Sequence, residues 1–275
     1  MSPLREFDLK FEGTTIHCWE GGSGRPVVLM HGSGAGCGTF SNFSAAVLDG
    51  LSAYFRVLAT DMVGYGLSGR RPAPPYFDVA MWVRQLLAIV DYTGAQQVGL
   101  VGHSLAGALA LKAAAMDRRV TAVLATGTMG TPMPPRVKGR GWGFPPDRAA
   151  IQAHIEGTLY NKSLIPAGEV EARAQVLYAP GYEEYFKSMF GDDPQTYYDQ
   201  STLTADELSR ITCPVLFMHG WDDGFLAPEE SSLPLARSIP QSDVTVLGRC
   251  AHSVALEHPG KFVAAAQQLF DNLTG

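Results

Sequence analysis

No apolar run in these 275 residues approaches the ~18 that a membrane span requires. The opening stretch MSPLREFDLKFEG has no apolar core of the kind a signal peptide carries, so a cytoplasmic setting is expected. A basic excess is missing too: 21 Lys and Arg face 27 Asp and Glu, a net charge of −6, which excludes the positive face a nucleic-acid binder needs. Cysteine is scarce and scattered. Cys18, Cys37, Cys213 and Cys250 form no C-x-x-C pair, which argues against a disulfide framework or a zinc site and for reduced thiols. There are no internal repeats and no low-complexity tracts, and the glycine-rich stretch HGSGAG (31–36) neither spells G-x-G-x-x-G nor is followed by a P-loop lysine. What is present is 46% hydrophobic residues with 17% charged, enough for a sizeable core in one large domain or two small ones. The expected partner is a small molecule, with no nucleic acid, no membrane and no cofactor implied; a homodimer or higher homo-oligomer is left open.

Six short runs rich in Val and Leu end at glycine or a polar cluster: PVVLMHG (26–32), FRVLATD (55–61), QVGLVGHS (97–104), VTAVLATG (120–127), PVLFMHG (214–220) and VTVLG (244–248). Their length and branched content suit strands buried on both faces of a parallel sheet. Helix-like segments separate them, at about 77–93, 105–116, 229–238 and 259–273. Such alternation marks a doubly wound α/β domain. A hairpin is expected at 6–20. The alternation stops between 131 and 205, in a stretch that opens dense in Pro and Gly and continues as helix-like segments near 148–160, 168–178 and 180–190. Six of the ten tyrosines fall in it. The chain is therefore expected to divide into a core (1–130), a helical cap (131–205) and a second part of the core (206–275). The cap would cover the carboxyl edge of the sheet, where such sheets bind ligands.

The chemical residues gather at the ends of the expected strands. In GHSLAG (102–107), Ser104 sits between a strand and a helix, as in a G-x-S-x-G nucleophile elbow, although Ala106 stands at the last position. The competing reading is a serine capping the helix. A nucleophilic serine needs a base, and the base needs an orienting acid. PVLFMHGWDDGFLAP supplies Asp222 or Asp223 just after one late strand, and VTVLGRCAHSVALEHPG supplies His252 just after the next. His258, at a probable helix start, is the second choice for the base, and the other histidines (His17, His31, His103, His154, His219) read as structural. The glycine-rich HGSGAG (31–36) follows the first buried strand. It could turn backbone N–H groups towards a developing negative charge, with Ser33 and Leu105 as the expected oxyanion donors.

These residues together resemble the α/β-hydrolases, and within them the meta-cleavage-product hydrolases, which cut a C–C bond in 2-hydroxy-6-oxo-dienoates. HGSGAGCGTFSNF (31–43) looks like the family's HGSGPG-x₃-W-x-NF loop, DMVGYGLS (61–68) like its D-x-PG-[FY]-G-x-S turn, and NKSLIPAGEVEARAQVLYAPGYEEYFKSMF (161–190) like its cap helix. The resemblance implies an α/β-hydrolase fold, with a mostly parallel doubly wound sheet and a helical cap insertion. It implies a triad of Ser104, Asp223 and His252, and favours Asp223 over Asp222 by its offset from Gly220. It also implies that Arg173 grips a substrate carboxylate and Asn42 adds a side-chain amide there, with Gly32, Gly34, His103, Ser253 and the cap residue Trp142 around the substrate. Glu169 and Arg173 are also spaced as an ordinary i,i+4 surface pair. Departures fall in the pocket: His103 replaces the family's Asn, Ser253 its Trp, and Ala35, Val63 and Ala106 replace Pro, Pro and Gly. A dienoate is thus the first expectation. An ester or amide of a small carboxylate-bearing or aromatic acid is the alternative, and a cofactor-free lyase or a non-catalytic binding protein are further ones.

Overall fold

The computed structural model describes residues 4–132, 143–190 and 195–271. Eight strands form one sheet: β1 (Arg5–Phe11), β2 (Thr14–Gly21), β3 (Pro26–Met30), β4 (Arg56–Thr60), β5 (Val98–His103), β6 (Val120–Thr126), β7 (Val215–Gly220) and β8 (Ser242–Leu247). Their order is β1-β2-β4-β3-β5-β6-β7-β8. The β1–β2 hairpin joins antiparallel at one edge, and the pairs from β4 onward are parallel. The expected α/β architecture is present.

The parallel strands read as continuous apolar runs because both faces are covered. In β3, Val28 and Met30 join one core cluster with Trp82, Leu86 and Leu109. Val27 and Leu29 point the other way, into a cluster with Leu48, Leu51, Phe262 and Phe270. Helices Val79–Thr93 and Leu105–Met116 therefore lie on one face, with Ala45–Ser52 and Pro259–Asp271 on the other. After β3 the chain moves outward to β4, then returns to place β5 on the other side of β3. That reversal opens a crevice between the loops after β3 and β5, the position where such sheets take ligands.

Between β6 and β7 the described residues carry helices and no strand: Arg148–Gly157, Glu169–Leu177, Tyr182–Met189, Gln195–Ser201 and Ala205–Arg210. The first three match the expected segments. Helices Ala45–Ser52, Gln195–Ser201 and Ala205–Arg210 were not anticipated, because six to eight residues show too little periodicity. The last of these did carry a readable start: Thr204 and Glu207 form a capping box, each side chain bonding the other's backbone N–H. No helix among the described residues is long and apolar enough to cross a membrane.

Candidate active site

Ser104 stands between the end of β5 and the helix Leu105–Met116 at φ 56° and ψ −120°, a backbone conformation that side-chain-bearing residues rarely adopt. Its side chain makes no cap hydrogen bond, so the helix-cap reading fails. The turn is held from both sides: the Ser104 N–H donates to the Thr126 carbonyl (2.9 Å), and its carbonyl accepts from Gly107 and Met129 (3.0 Å each). A Cβ on Gly102 would stand 2.1 Å from the Ala106 carbonyl oxygen, which explains the glycine there. Ala106 itself fits, fully buried, so the missing second glycine of the motif leaves the elbow intact.

The loop after β3 packs directly on this turn, a Cβ on Gly32 falling 2.9 Å from that of Ser104. His31 pins the loop: its Nδ1 lies 2.7 Å from the Gly32 carbonyl, and its Nε2 accepts from the Met62 N–H at 3.0 Å. Ser33 is buried and lines the cavity beside Ser104. Leu105 is the first helical residue, whose N–H has no acceptor within the helix. Both expected oxyanion donors thus sit on segments that adjoin the serine.

Asp223 is buried after β7, whereas Asp222 is exposed. The Asp223 Oδ2 is 2.7 Å from His252 Nδ1, and its Oδ1 accepts from the Phe225 and Leu226 N–H groups at 2.9 and 3.0 Å. Burial works to raise this carboxyl, but the contacts with the His252 and His219 imidazoles outweigh it and hold it well below the usual carboxylate range. His252 therefore presents Nδ1 to the acid, leaving Nε2 as its free basic nitrogen. His258, the second choice, caps the short helix Val254–Glu257, and no contact joins it to Ser104 or the acid.

Ser104 and His252 line one cavity of about 420 Å³ together with Gly32, Ser33, Gly34, Asn42, His103 and Arg173. Asn42 uses its Oδ1 to accept from the Gly32 N–H (2.9 Å), which fixes the loop and leaves the amide nitrogen for a ligand. His103 hydrogen-bonds Thr126 Oγ1 (3.0 Å), and its ring lies tilted against that of His252 with centroids 4.6 Å apart, so it buttresses His252 as well as lining the cavity. Arg173 is no surface residue. It is 3% exposed, its Nε donates to Glu169 Oε1 at 2.6 Å, and its Nη1 is buried with no partner among the described residues.

One expectation is corrected. Ser253 does not line this cavity; its N–H turns away to the Thr158 carbonyl (3.0 Å) and its own carbonyl starts the helix that follows. Trp142 lies outside the described residues. The sequence reading missed two groups. His219, read as structural, is fully buried with Nε2 at 2.7 Å from the Leu226 carbonyl and 3.1 Å from Asp223 Oδ2, while Nδ1 meets Ser232 Oγ at 2.9 Å. Its Nε2 N–H faces the Leu226 carbonyl and Asp223 Oδ2, which His252 also contacts, and its place four residues before Asp223 was the available signal. His154, also read as structural, reaches the cavity with Cys37, Met129, Tyr198 and Phe225.

The comparisons with known proteins decide the family. The profile described as "Alpha/beta hydrolase family" matches residues 27–266. The chain belongs to the alpha/beta hydrolase family. Among its relatives is a 2-hydroxy-6-oxo-2,4-heptadienoate hydrolase of Pseudomonas putida, 34% identical over 91% of this chain and 90% of that protein. A 2-hydroxymuconate semialdehyde hydrolase, also of Pseudomonas putida, is 31% identical over 90% and 87%. A solved meta-cleavage product hydrolase of Pseudomonas fluorescens superposes with a TM-score of 0.88 at 27% identity, over 97% of each chain. The resemblance to meta-cleavage-product hydrolases therefore holds along nearly the whole length of this hydrolase.

Two cavity histidines of the hydrolase stay neutral in the fold. Burial and the neighbouring His252 push His103 well down, and burial, Arg173 and His252 push His154 down to about 4. An unfolded chain would protonate both near pH 6.5. The stability they contribute is thus held in full above about pH 6.5 and lost as pH falls towards the folded values. Calorimetry is expected to show a Tm lower by on the order of 5 °C at about pH 5 than at about pH 7. An unchanged Tm would contradict their burial as neutral rings.

Proposed function

We propose that this protein hydrolyses the C–C bond beside the 6-oxo group of a 2-hydroxy-6-oxo-dienoate, a product of aromatic ring cleavage. The observation that carries this reading is the unpaired, buried Nη1 of Arg173 in the same cavity as Ser104 and His252. A buried guanidinium edge without a partner suits a carboxylate, which it can grip through parallel N–H donors. A simple esterase has no need of it.

Ser104 then either attacks the 6-oxo carbon or positions a water that does so to form a gem-diol. His252 takes the proton of the attacking oxygen and later returns it, and Asp223 holds the imidazole in the tautomer that leaves Nε2 basic. The oxyanion is met by the Ser33 and Leu105 amides. Breaking a C–C bond requires a sink for its electron pair. A proton taken up at C5 converts the 2-hydroxy-dienoate to its 2-oxo form, which then receives that pair as an enolate. Each step uses protein groups and water, with no cofactor drawn on. The partner is a small molecule, with neither nucleic acid nor membrane, and a cytoplasmic setting agrees with the four buried free thiols.

Yellow dienolate substrates are expected to bleach on mixing with the enzyme, and Arg173→Gln should raise KM for them at least tenfold, the effect of about 1.4 kcal/mol, with little change for uncharged esters. Turnover of simple esters with no bleaching across a panel of dienolates would replace this reading with a carboxylesterase.

A further inference from the structure

His154 is a cavity group whose chemistry the route above leaves unused. It stands on the helix Arg148–Gly157, half-buried, with Phe225 edge-on to its ring at 5.8 Å. No protein group among the described residues hydrogen-bonds its ring nitrogens. Gly34 gives its position: the point where a Gly34 Cβ would stand is 2.7 Å from Cys37 Sγ, 3.3 Å from His154 Nε2 and 3.6 Å from Arg173 Nη1. An unpartnered imidazole edge and an unpartnered guanidinium edge thus converge on one spot of the oxyanion loop. A ligand carboxylate on Arg173 would bring the substituent on its neighbouring carbon to His154.

We propose that His154 is a specificity-determining residue that hydrogen-bonds the oxygen on the carbon next to the substrate carboxylate, selecting 2-hydroxy and 2-oxo acids over plain acids. This rests on the reading of Arg173 as the carboxylate grip. The side-chain type fits because the 2-oxygen changes role during the reaction. As an enol it donates a hydrogen bond, and after protonation at C5 it is a ketone that can only accept. A neutral imidazole can accept from the first and, in its other tautomer, donate to the second. Burial, with Arg173 and His252 close by, disfavours the charged ring and pushes it down to about 4. It therefore does not compete with Arg173 for the carboxylate.

The test separates binding from bond cleavage by using two acids that are not substrates, 2-oxopentanoate and pentanoate, titrated calorimetrically into the protein. The wild type is expected to bind the 2-oxo acid about tenfold more tightly, the effect of one neutral hydrogen bond. His154→Leu should abolish that preference while leaving pentanoate affinity in place, and His154→Gln should restore part of it. Arg173→Gln should weaken both acids alike. Equal wild-type affinities, or a His154→Leu protein that loses both acids equally, would overturn the proposal. A retained 2-oxo preference in an enzyme that bleaches no dienolate would remove the C–C reading and leave this one standing. Bleaching without any such preference would do the reverse.

Discussion

Ser104→Ala is expected to lower turnover by about ten-thousand-fold or more, the scale on which removing a triad nucleophile acts. The folded state should survive. The hydroxyl makes no helix-cap bond, and the turn is held by backbone contacts to Thr126, Gly107 and Met129 that the substitution leaves alone. Circular dichroism and a thermal melt close to wild type, beside the lost activity, would place the defect in chemistry. A fluorophosphonate probe supplies the direct readout, with labelling mapped to Ser104 in the wild type and absent in the variant. Full turnover by Ser104→Ala would remove the serine from the mechanism, whatever the bond cleaved. Partial retention with dienolates alone would favour the gem-diol route, in which the serine positions water.

Asp223→Asn should cost about a thousand- to ten-thousand-fold in kcat with KM little changed, because the amide no longer favours the tautomer that leaves His252 Nε2 basic. The same change at Asp222 is expected to leave kcat within about twofold, since an exposed carboxylate one residue away contributes little through water. The pair of variants is a sharp comparison: neighbouring residues, identical substitutions, different burial. Asp223 also contributes to stability. Its carboxyl is held low in the fold, so that contribution is present above the unfolded pKa and is lost as pH falls through the folded one. Removing the charge should therefore lower Tm at neutral pH as well as kcat. Equal losses from Asp222→Asn and Asp223→Asn would contradict the hydrogen-bond geometry.

Much of this molecule is legible along the chain because its signals are local. Runs such as Pro26–Met30 and Val98–Gly102 carry no polar side chain and are buried at every position, as a strand covered on both faces needs, and glycines or polar clusters mark their ends. Short helices were harder to read. In Ala45–Ser52 or Gln195–Ser201 a turn or two gives no clear periodicity, and tertiary packing rather than intrinsic propensity keeps them folded. The order of the three candidate residues, Ser104, Asp223 and His252, is likewise carried by the chain, since each follows its own strand.

The sequence by itself determined the α/β alternation, the helical stretch before β7 and the chemical types available at each strand end. Tertiary structure decided which of those groups face one another. Asp222 and Asp223 differ only in which one the turn after β7 buries against His252. Glu169–Arg173 is a surface pair by spacing and a buried one in fact, because its helix lies over the loop after β3 and a Cβ on Gly36 would meet the Arg173 carbonyl at 2.9 Å. His154 carries no local sign that it reaches the cavity either. A side chain's direction is set by how elements hundreds of atoms apart pack together, and hydrogen-bond partners far along the chain leave no trace in either segment alone.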